Sequence, residues 1–565
     1  MEPLLQIKNL SIDFLKEKER THAIKEINLQ INRGEITALA GESGSGKSVT
    51  SLSILQLLPT PPAQYVGGQI LFSEAEKSFD LLKADTKQLQ QVRGNKIAMI
   101  FQEPMSSLNP VVRCGKQVME AVLVHQSTSI VEAKKLVIQW FIKVDLPQPE
   151  VIFNKFPHQL SGGQKQRVMI AMAMCCNPHL LICDEPTTAL DVTVQKSILQ
   201  LIQKLQREQN IGVLFITHDL GLVAEFADKV AIMYKGEIIE QNRVDSLFNN
   251  PQQAYTKALL ACRPALHAKG EKLPVVSDFL KEKAFTAKPI VSHEKLNNEP
   301  SIALVEVKNL VIHFPIKTNF FGKVTQYYTA VDDVSFTICK GETLGLVGES
   351  GCGKTTLGRS LLRIIDPASG SILFNGTDIT KLSNKKLHQF RKEVQLVFQD
   401  PFSSLNPRLT IGAAIEEPMK IFRSSNSVLR KKAVASLLDK VNLPANYAKR
   451  YPHEFSGGQR QRIVIARALA LQPNFLVCDE SVSALDVSVQ AQVLNLLNDL
   501  KKDLGLTMLF ISHDLSVVRY MCDRIMVMNK GKIMEEGNAE EVYQHPKSHY
   551  TKTLLSAIPK THRNF

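Results

Sequence analysis

Gly41-Glu42-Ser43-Gly44-Ser45-Gly46-Lys47-Ser48 decides the fold. It fits G-x-x-x-x-G-K-[ST], the phosphate-binding loop. Before it, Ile36 to Ala40 reads as a buried strand. After it, Val49 to Leu58 reads as a helix that stops at Pro59. Gly41, Ser43, Gly44 and Gly46 let the backbone curl around an anion with its N–H groups inward, and the helix start adds partial positive charge. Lys47 then reaches the phosphates, and the Ser48 hydroxyl ligates Mg²⁺. One chance match is expected in roughly 2% of chains of this length. Here the motif occurs twice. Gly348-Glu349-Ser350-Gly351-Cys352-Gly353-Lys354-Thr355 follows a second strand-like run, Leu344 to Val347. It gives Gly348, Ser350, Gly351, Gly353, Lys354 and Thr355 the same roles.

The loops are landmarks of a longer repeat. Asn9 recurs as Asn309, Gln102 as Gln399, Ser161 as Ser456, Asp184 as Asp479 and His218 as His513. Spacing drifts early, where loops differ, and then locks, so two homologous domains are expected. The boundaries fall at 1–265 and 301–565. Residues 266–300, rich in Lys, Glu and Pro without periodicity, read as a linker.

Each unit brings the same chemistry in the same order. A short apolar run ends in Gln102 or Gln399, whose amide suits Mg²⁺ or an attacking water. A helical insertion follows (111–156 and 408–451). Ser161-Gly162-Gly163-Gln164 and Ser456-Gly457-Gly458-Gln459 then open apolar helices, a second anion-binding helix start. Twenty-three residues on (161 to 184, 456 to 479), apolar strands end in Asp184-Glu185 and Asp479-Glu480. The first acid suits Mg²⁺, and the second suits orienting and polarising water. Later strands end at His218 and His513, placed to contact a γ-phosphate. Phe14 and Phe314 occupy matching places on alternating runs. There an aromatic can stack on a nucleotide base or belong to the strand core, and the sequence leaves both open.

The 565 residues are 44% hydrophobic and 22% charged, as for a globular protein with full cores. The longest uninterrupted apolar run, Val168 to Cys176, is half of a membrane span, and Met1 to Asn9 lacks the apolar stretch of a signal peptide. The net charge is +13 with a single Trp. No basic run is interleaved with aromatics, so a surface facing an anionic membrane leaflet, or no specific role for the charge, fits better than nucleic acid. Nine cysteines without C-x-x-C spacing read as reduced thiols. Cys352, beside Lys354 at a helix start, is expected to favour the thiolate and to alkylate readily.

The ordered set of phosphate loop, Gln, S-G-G-Q, D-E, A-L-D (Ala189 to Asp191, Ala484 to Asp486) and His resembles the ATP-binding cassette ATPases over nearly the whole chain outside the linker. The resemblance implies an α/β fold of two P-loop domains. Each would have a RecA-like core, an antiparallel β subdomain and a helical subdomain. It also implies head-to-tail pairing, each ATP lying between the phosphate loop of one unit and the S-G-G-Q of the other. Gln-x-Pro-x-Ser-Ser-Leu-Asn-Pro (102–110, 399–407) is similar to the oligopeptide, dipeptide and nickel importer ATPases. So are the tails Ala254-Tyr255-Thr256-Lys257 and His549-Tyr550-Thr551-Lys552. That narrower resemblance implies ATP hydrolysis with Mg²⁺ at the cytoplasmic face of a bacterial inner membrane. It implies two permease subunits and an extracytoplasmic solute-binding protein as partners. The rival class, a soluble tandem cassette on ribosomes or DNA, calls for a long basic helical insert or zinc cysteines, which the sequence lacks. Ser481-Val482 departs from Pro186-Thr187, and without a cysteine cluster after either cassette no iron–sulfur cluster is expected.

Overall fold

The computed structural model describes residues 3–16, 19–74, 77–102, 107–187, 190–280, 302–318, 324–423, 426–483 and 485–558. The chain divides into two compact units at Leu260/Ala261.

In the first unit, β1 (Leu5–Lys16), β2 (Glu19–Ile31), β4 (Ala63–Glu74) and β5 (Lys77–Asp80) form an antiparallel sheet in the order β2-β1-β4-β5. The second sheet contains β3 (Ile36–Ala40), β6 (Ile97–Ile100), β7 (Leu180–Asp184), β8 (Gly212–Thr217), β9 (Lys229–Tyr234) and β10 (Glu237–Arg243). Its order is β10-β9-β3-β8-β7-β6, parallel apart from the β9–β10 hairpin. Every residue of β3, β7 and β8 is buried, as continuous apolar runs require when both sheet faces are covered. The helical insertion forms Cys114–His125, Ile130–Lys143 and Pro149–Asn154 around Val118, Val137, Trp140 and Phe141. The helix after the loop ends at Ile54, short of the expected Leu58, because Gln56 turns into the left-handed region (φ 49°).

The second unit repeats the plan with β11 (Ala303–Thr318), β12 (Val324–Cys339), β13 (Thr343–Val347), β14 (Ser369–Phe374), β15 (Thr377–Asp378), β16 (Val394–Val397), β17 (Phe475–Asp479), β18 (Thr507–Ile511), β19 (Arg524–Asn529) and β20 (Lys532–Asn538). Its sheets run β12-β11-β14-β15 and β16-β17-β18-β13-β19-β20. In both units the phosphate loop, the paired acids and the histidine therefore leave the carboxyl ends of adjacent parallel strands, where open α/β sheets bind ligands.

Residues 281–300 lie outside the described residues, whereas 266–280 belong to the second unit. Leu273 is 1% exposed, its N–H donates to Asn495 Oδ1 at 2.9 Å and its carbonyl accepts from Asn495 Nδ2 at 2.8 Å. The Tyr520 hydroxyl donates to the Glu271 carbonyl at 2.6 Å. Richness in Lys, Glu and Pro without periodicity reads as a linker. One buried leucine and two side chains that satisfy the backbone are enough to fix it.

Candidate functional site

The glycines shape the phosphate loops. Gly46 and Gly353, at the helix starts, have φ of 109° and 110°. The Lys47 Nζ donates to the carbonyls of Gly41 and Glu42, both at 2.8 Å. Lys354 bonds Gly348 and Glu349 in the same way, at 2.7 and 2.9 Å. Both lysines are buried, so each ammonium is held inside its own loop.

Behind the loops stand the first acids. The Ser48 hydroxyl donates to Asp184 Oδ1 at 3.2 Å, and Thr355 donates to Asp479 Oδ1 at 3.0 Å. Burial pushes both carboxyls above their ordinary range. The adjacent Glu adds to this, and the hydroxyl bonds oppose it. A buried carboxylate beside a hydroxyl is an oxygen donor set that suits a hard divalent cation. The two sites differ in one detail: Ser51 also donates to Asp184 Oδ2 at 3.3 Å, whereas Gly358 holds that place in the second unit.

The second acids leave the strands at an angle. Glu185 and Glu480 both have φ of 46°, the left-handed region that costs a non-glycine residue about 1–3 kcal/mol. Their N–H groups still bond across the sheet, to Ile216 and Ile511 at 3.0 Å. The turn re-aims each carboxylate toward the neighbouring strand ends. There Gln102 Nε2 donates to Glu185 Oε2 at 3.2 Å, and His218 Nδ1 lies 3.1 Å from Oε1. In the second unit Gln399 Nε2 donates to Glu480 Oε2 at 2.7 Å, and His513 Nδ1 lies 3.6 Å from it. Burial raises the Glu480 carboxyl, but the His513 bond and the charges of His513 and Lys354 hold it below its usual value. Burial lowers His513, and Glu480 more than reverses this. Each unit thus brings Gln, Glu and His together. In both, the amide nitrogen faces the glutamate, which leaves the amide oxygen free of that bond.

The S-G-G-Q helices are capped by their own residues. Ser161 and Gln164 form a reciprocal capping box, as do Ser456 and Gln459. Ser161 and Ser456 face solvent. The second glycines have a packing role. A Cβ on Gly163 would lie 2.7 Å from Val194 Cγ1, and one on Gly458 would lie 2.1 Å from Val489 Cγ1. Gly162 and Gly457 meet nothing closer than 3.3 and 3.9 Å.

Phe14 packs against the apolar core of its unit, whereas Phe314 is 38% exposed. Opposite Phe314 in register lies Tyr328, whose hydroxyl donates to the Gly351 carbonyl of the phosphate loop at 3.3 Å. Thr21 is its counterpart opposite Phe14. Only strand register across the hairpin, which pairs Phe314 with Tyr328, marks this tyrosine in the sequence.

At Cys352 the structure sets two effects against each other: Lys354 Nζ donates to the thiol at 3.9 Å, as the expected thiolate needs, but burial limits access. Cys352 is 6% exposed and belongs to the apolar cluster with Leu346, Leu357 and Met528. The thiol packs under the loop, so ready alkylation is not expected. N-ethylmaleimide should label Cys352 in the native chain more slowly than the partly exposed Cys339. Peptide mass spectrometry at timed quenches checks this, and faster labelling of Cys352 would refute the packing argument.

Comparison with known proteins identifies the family. The family model described as "ABC transporter" matches residues 24–188 and 331–483. "Oligopeptide/dipeptide transporter, C-terminal region" matches 239–282 and 534–564. Glutathione import ATP-binding protein GsiA of Escherichia coli (strain K12) is 46% identical over 98% of this chain and 89% of its own length. The Salmonella typhimurium protein of that name is 45% identical with the same coverage. A solved dimeric ATP-binding cassette in a post-hydrolysis state is 28% identical over 42% of this chain and 98% of its own, with a TM-score of 0.38.

Proposed function

Because this chain belongs to the ABC transporter ATPases, with a cassette and an oligopeptide/dipeptide-type C-terminal region in each half, we propose that it is the ATP-hydrolysing subunit of a bacterial importer for peptides or a small peptide such as glutathione. One observation carries the reading: each unit gathers Gln, Glu and His beside a phosphate loop, in a chain 46% identical to a glutathione import ATPase.

In this reading ATP is held by Gly41, Ser43, Gly44, Gly46, Lys47 and Ser48 of the first unit with Ser456, Gly457, Gly458 and Gln459 of the second. The other site joins Gly348, Ser350, Gly351, Gly353, Lys354 and Thr355 to Ser161, Gly162, Gly163 and Gln164. Ser48 with Asp184, and Thr355 with Asp479, would hold Mg²⁺, with Gln102 and Gln399 turning their amide oxygens toward it. The ion would neutralise phosphate charge when bound. Glu185 and Glu480 orient and polarise the attacking water. His218 and His513 contact the γ-phosphate, and His513 holds the Glu480 carboxyl below its ordinary value. Two cassettes closing on two ATP molecules would drive a pair of permeases fed by a solute-binding protein.

No helix among the described residues is long and apolar enough to cross a membrane, which supports peripheral attachment through those permeases at the cytoplasmic face. The importer-type tails in both halves weigh against a ribosome- or nucleic-acid-bound role. Expressed alone, the protein should be absent from carbonate-washed membranes. Co-expressed with its permeases, it should co-purify from detergent-solubilised membranes, and solute-loaded binding protein should stimulate its ATPase. Retention of the lone chain in washed membranes, or turnover indifferent to permeases and solute, would overturn the proposal.

A further inference from the structure

The tail helices that follow each cassette core reach back to the phosphate loops. In the first unit the helix Ala254–Ala261 carries Tyr255, 2% exposed, whose hydroxyl accepts the Glu42 N–H at 3.3 Å. In the second, the helix His549–Ala557 carries Tyr550, whose hydroxyl accepts the Glu349 N–H at 3.2 Å. Glu42 and Glu349 are the second residues of the two loops, and their carbonyls are those that Lys47 and Lys354 bond. One peptide segment of each loop is therefore gripped from both sides, by a tail tyrosine at its N–H and by the loop lysine at its carbonyl.

Each tail is itself fastened to the sheet. Glu240 on β10 accepts the N–H groups of Gln252 and Gln253 at 2.8 and 3.1 Å, immediately before the first tail helix. Glu535 on β20 accepts those of Lys547 and Ser548 at 2.8 and 3.0 Å. Burial raises the Glu535 carboxyl, but these N–H bonds and the Lys547 charge hold it below its ordinary value, so the fastening carboxylate stays charged. In the first unit the Tyr255 ring also packs on Tyr234, with centroids 4.2 Å apart. The same relay of β-strand glutamate, tail helix, tyrosine and phosphate loop is built twice, in units whose tails differ in sequence around the shared Tyr-Thr-Lys.

We propose that Tyr255 and Tyr550 are positioning residues for ATP. Each tail tyrosine holds its phosphate loop in the nucleotide-receiving form, so the importer-type tail sets the affinity of the site in its own unit. The proposal rests on the ATPase reading above. A loop whose N–H groups are arranged beforehand does not spend binding energy on ordering itself, so the tyrosine acts on binding rather than on the chemical step.

The test is Tyr255→Phe and Tyr550→Phe, which keep the ring and remove only the hydroxyl. A lost neutral hydrogen bond is worth about 1 kcal/mol, or roughly fivefold in an equilibrium constant. Binding of a fluorescent ATP analogue is measured with Lys354→Ala silencing the second unit, or Lys47→Ala silencing the first. Each Phe variant should weaken the Kd of its own unit about fivefold. In the otherwise native chain KM for ATP should rise, with kcat and thermal midpoint nearly unchanged. Glu240→Gln and Glu535→Gln, which loosen the fastening without touching the loop, should weaken binding in the same units. Unchanged affinity in the Phe variants, or a fall in kcat at constant KM, would overturn the tail's role while leaving the ATPase reading intact. Failure of the native chain to bind the analogue would overturn both.

Discussion

Replacing Glu185 and Glu480 together by glutamine lowers ATP turnover by about 10²–10⁴-fold, the usual contribution of a positioned general base, while nucleotide binding persists. Glutamine matches glutamate in volume and can still bond the Gln and His beside it, so the left-handed turn at φ 46° and the local packing remain. What disappears is the negative charge that draws the proton from water. The phosphate loop lysines bond the carbonyls of residues 41 and 42, and of 348 and 349, and those bonds do not depend on the carboxylates. Affinity should therefore stay within a few-fold of the native value. Release of inorganic phosphate at saturating ATP, paired with equilibrium binding of labelled ATP, separates the two quantities. Near-native turnover in the double variant would remove Glu185 and Glu480 from the chemistry. Loss of binding alongside turnover would make them structural.

Gly353→Ala should abolish useful nucleotide binding in the second unit. The added Cβ would stand 2.2 Å from the Ala330 carbonyl oxygen and 2.8 Å from Met528 Cε, at a residue held at φ 110°. A methionine tip can swing aside, but a backbone carbonyl in a sheet cannot, so the loop itself must move. The left-handed conformation alone costs an alanine about 1–3 kcal/mol, or roughly 5- to 150-fold in affinity if borne by the binding-competent loop, and the clash adds to it. Gly351→Ala is the control. Its φ of 76° carries strain, yet a Cβ there meets nothing within 4 Å, so its loss should be much smaller. Titration with an ATP analogue in a Lys47→Ala background reads the second unit alone. Equal affinities for the two variants would show that close approach at Gly353 does not shape the loop.

Much of this site was legible in the chain because its motifs are local. A phosphate loop needs its glycines, lysine and hydroxyl at fixed spacing within one turn of backbone. An apolar run ending in Asp184-Glu185 or Asp479-Glu480 announces a buried strand and its exit. Writing the set twice identified two α/β units and the order of their parts.

The rest depends on residues brought together across long stretches of chain. Sequence placed Gln102, Glu185 and His218 near one site, but the left-handed turn that points Glu185 at the other two belongs to the folded sheet. Gly163 and Gly458 read as anion-binding glycines, and the close approach of Val194 and Val489 reveals their packing duty. The spacing puts Cys352 beside Lys354, which does donate to its thiol, and only the folded loop shows that the thiol is also buried in the apolar core. Tyr255 and Tyr550 lie 213 and 201 residues from the loop N–H groups they hold. No spacing rule links them, because periodicity reports which face of an element is buried, not what that face meets. The sequence by itself determined the chemistry of each unit and the order of its motifs. The tertiary structure decided which side chains hold those motifs in shape, since such contacts depend on the register and packing of distant elements.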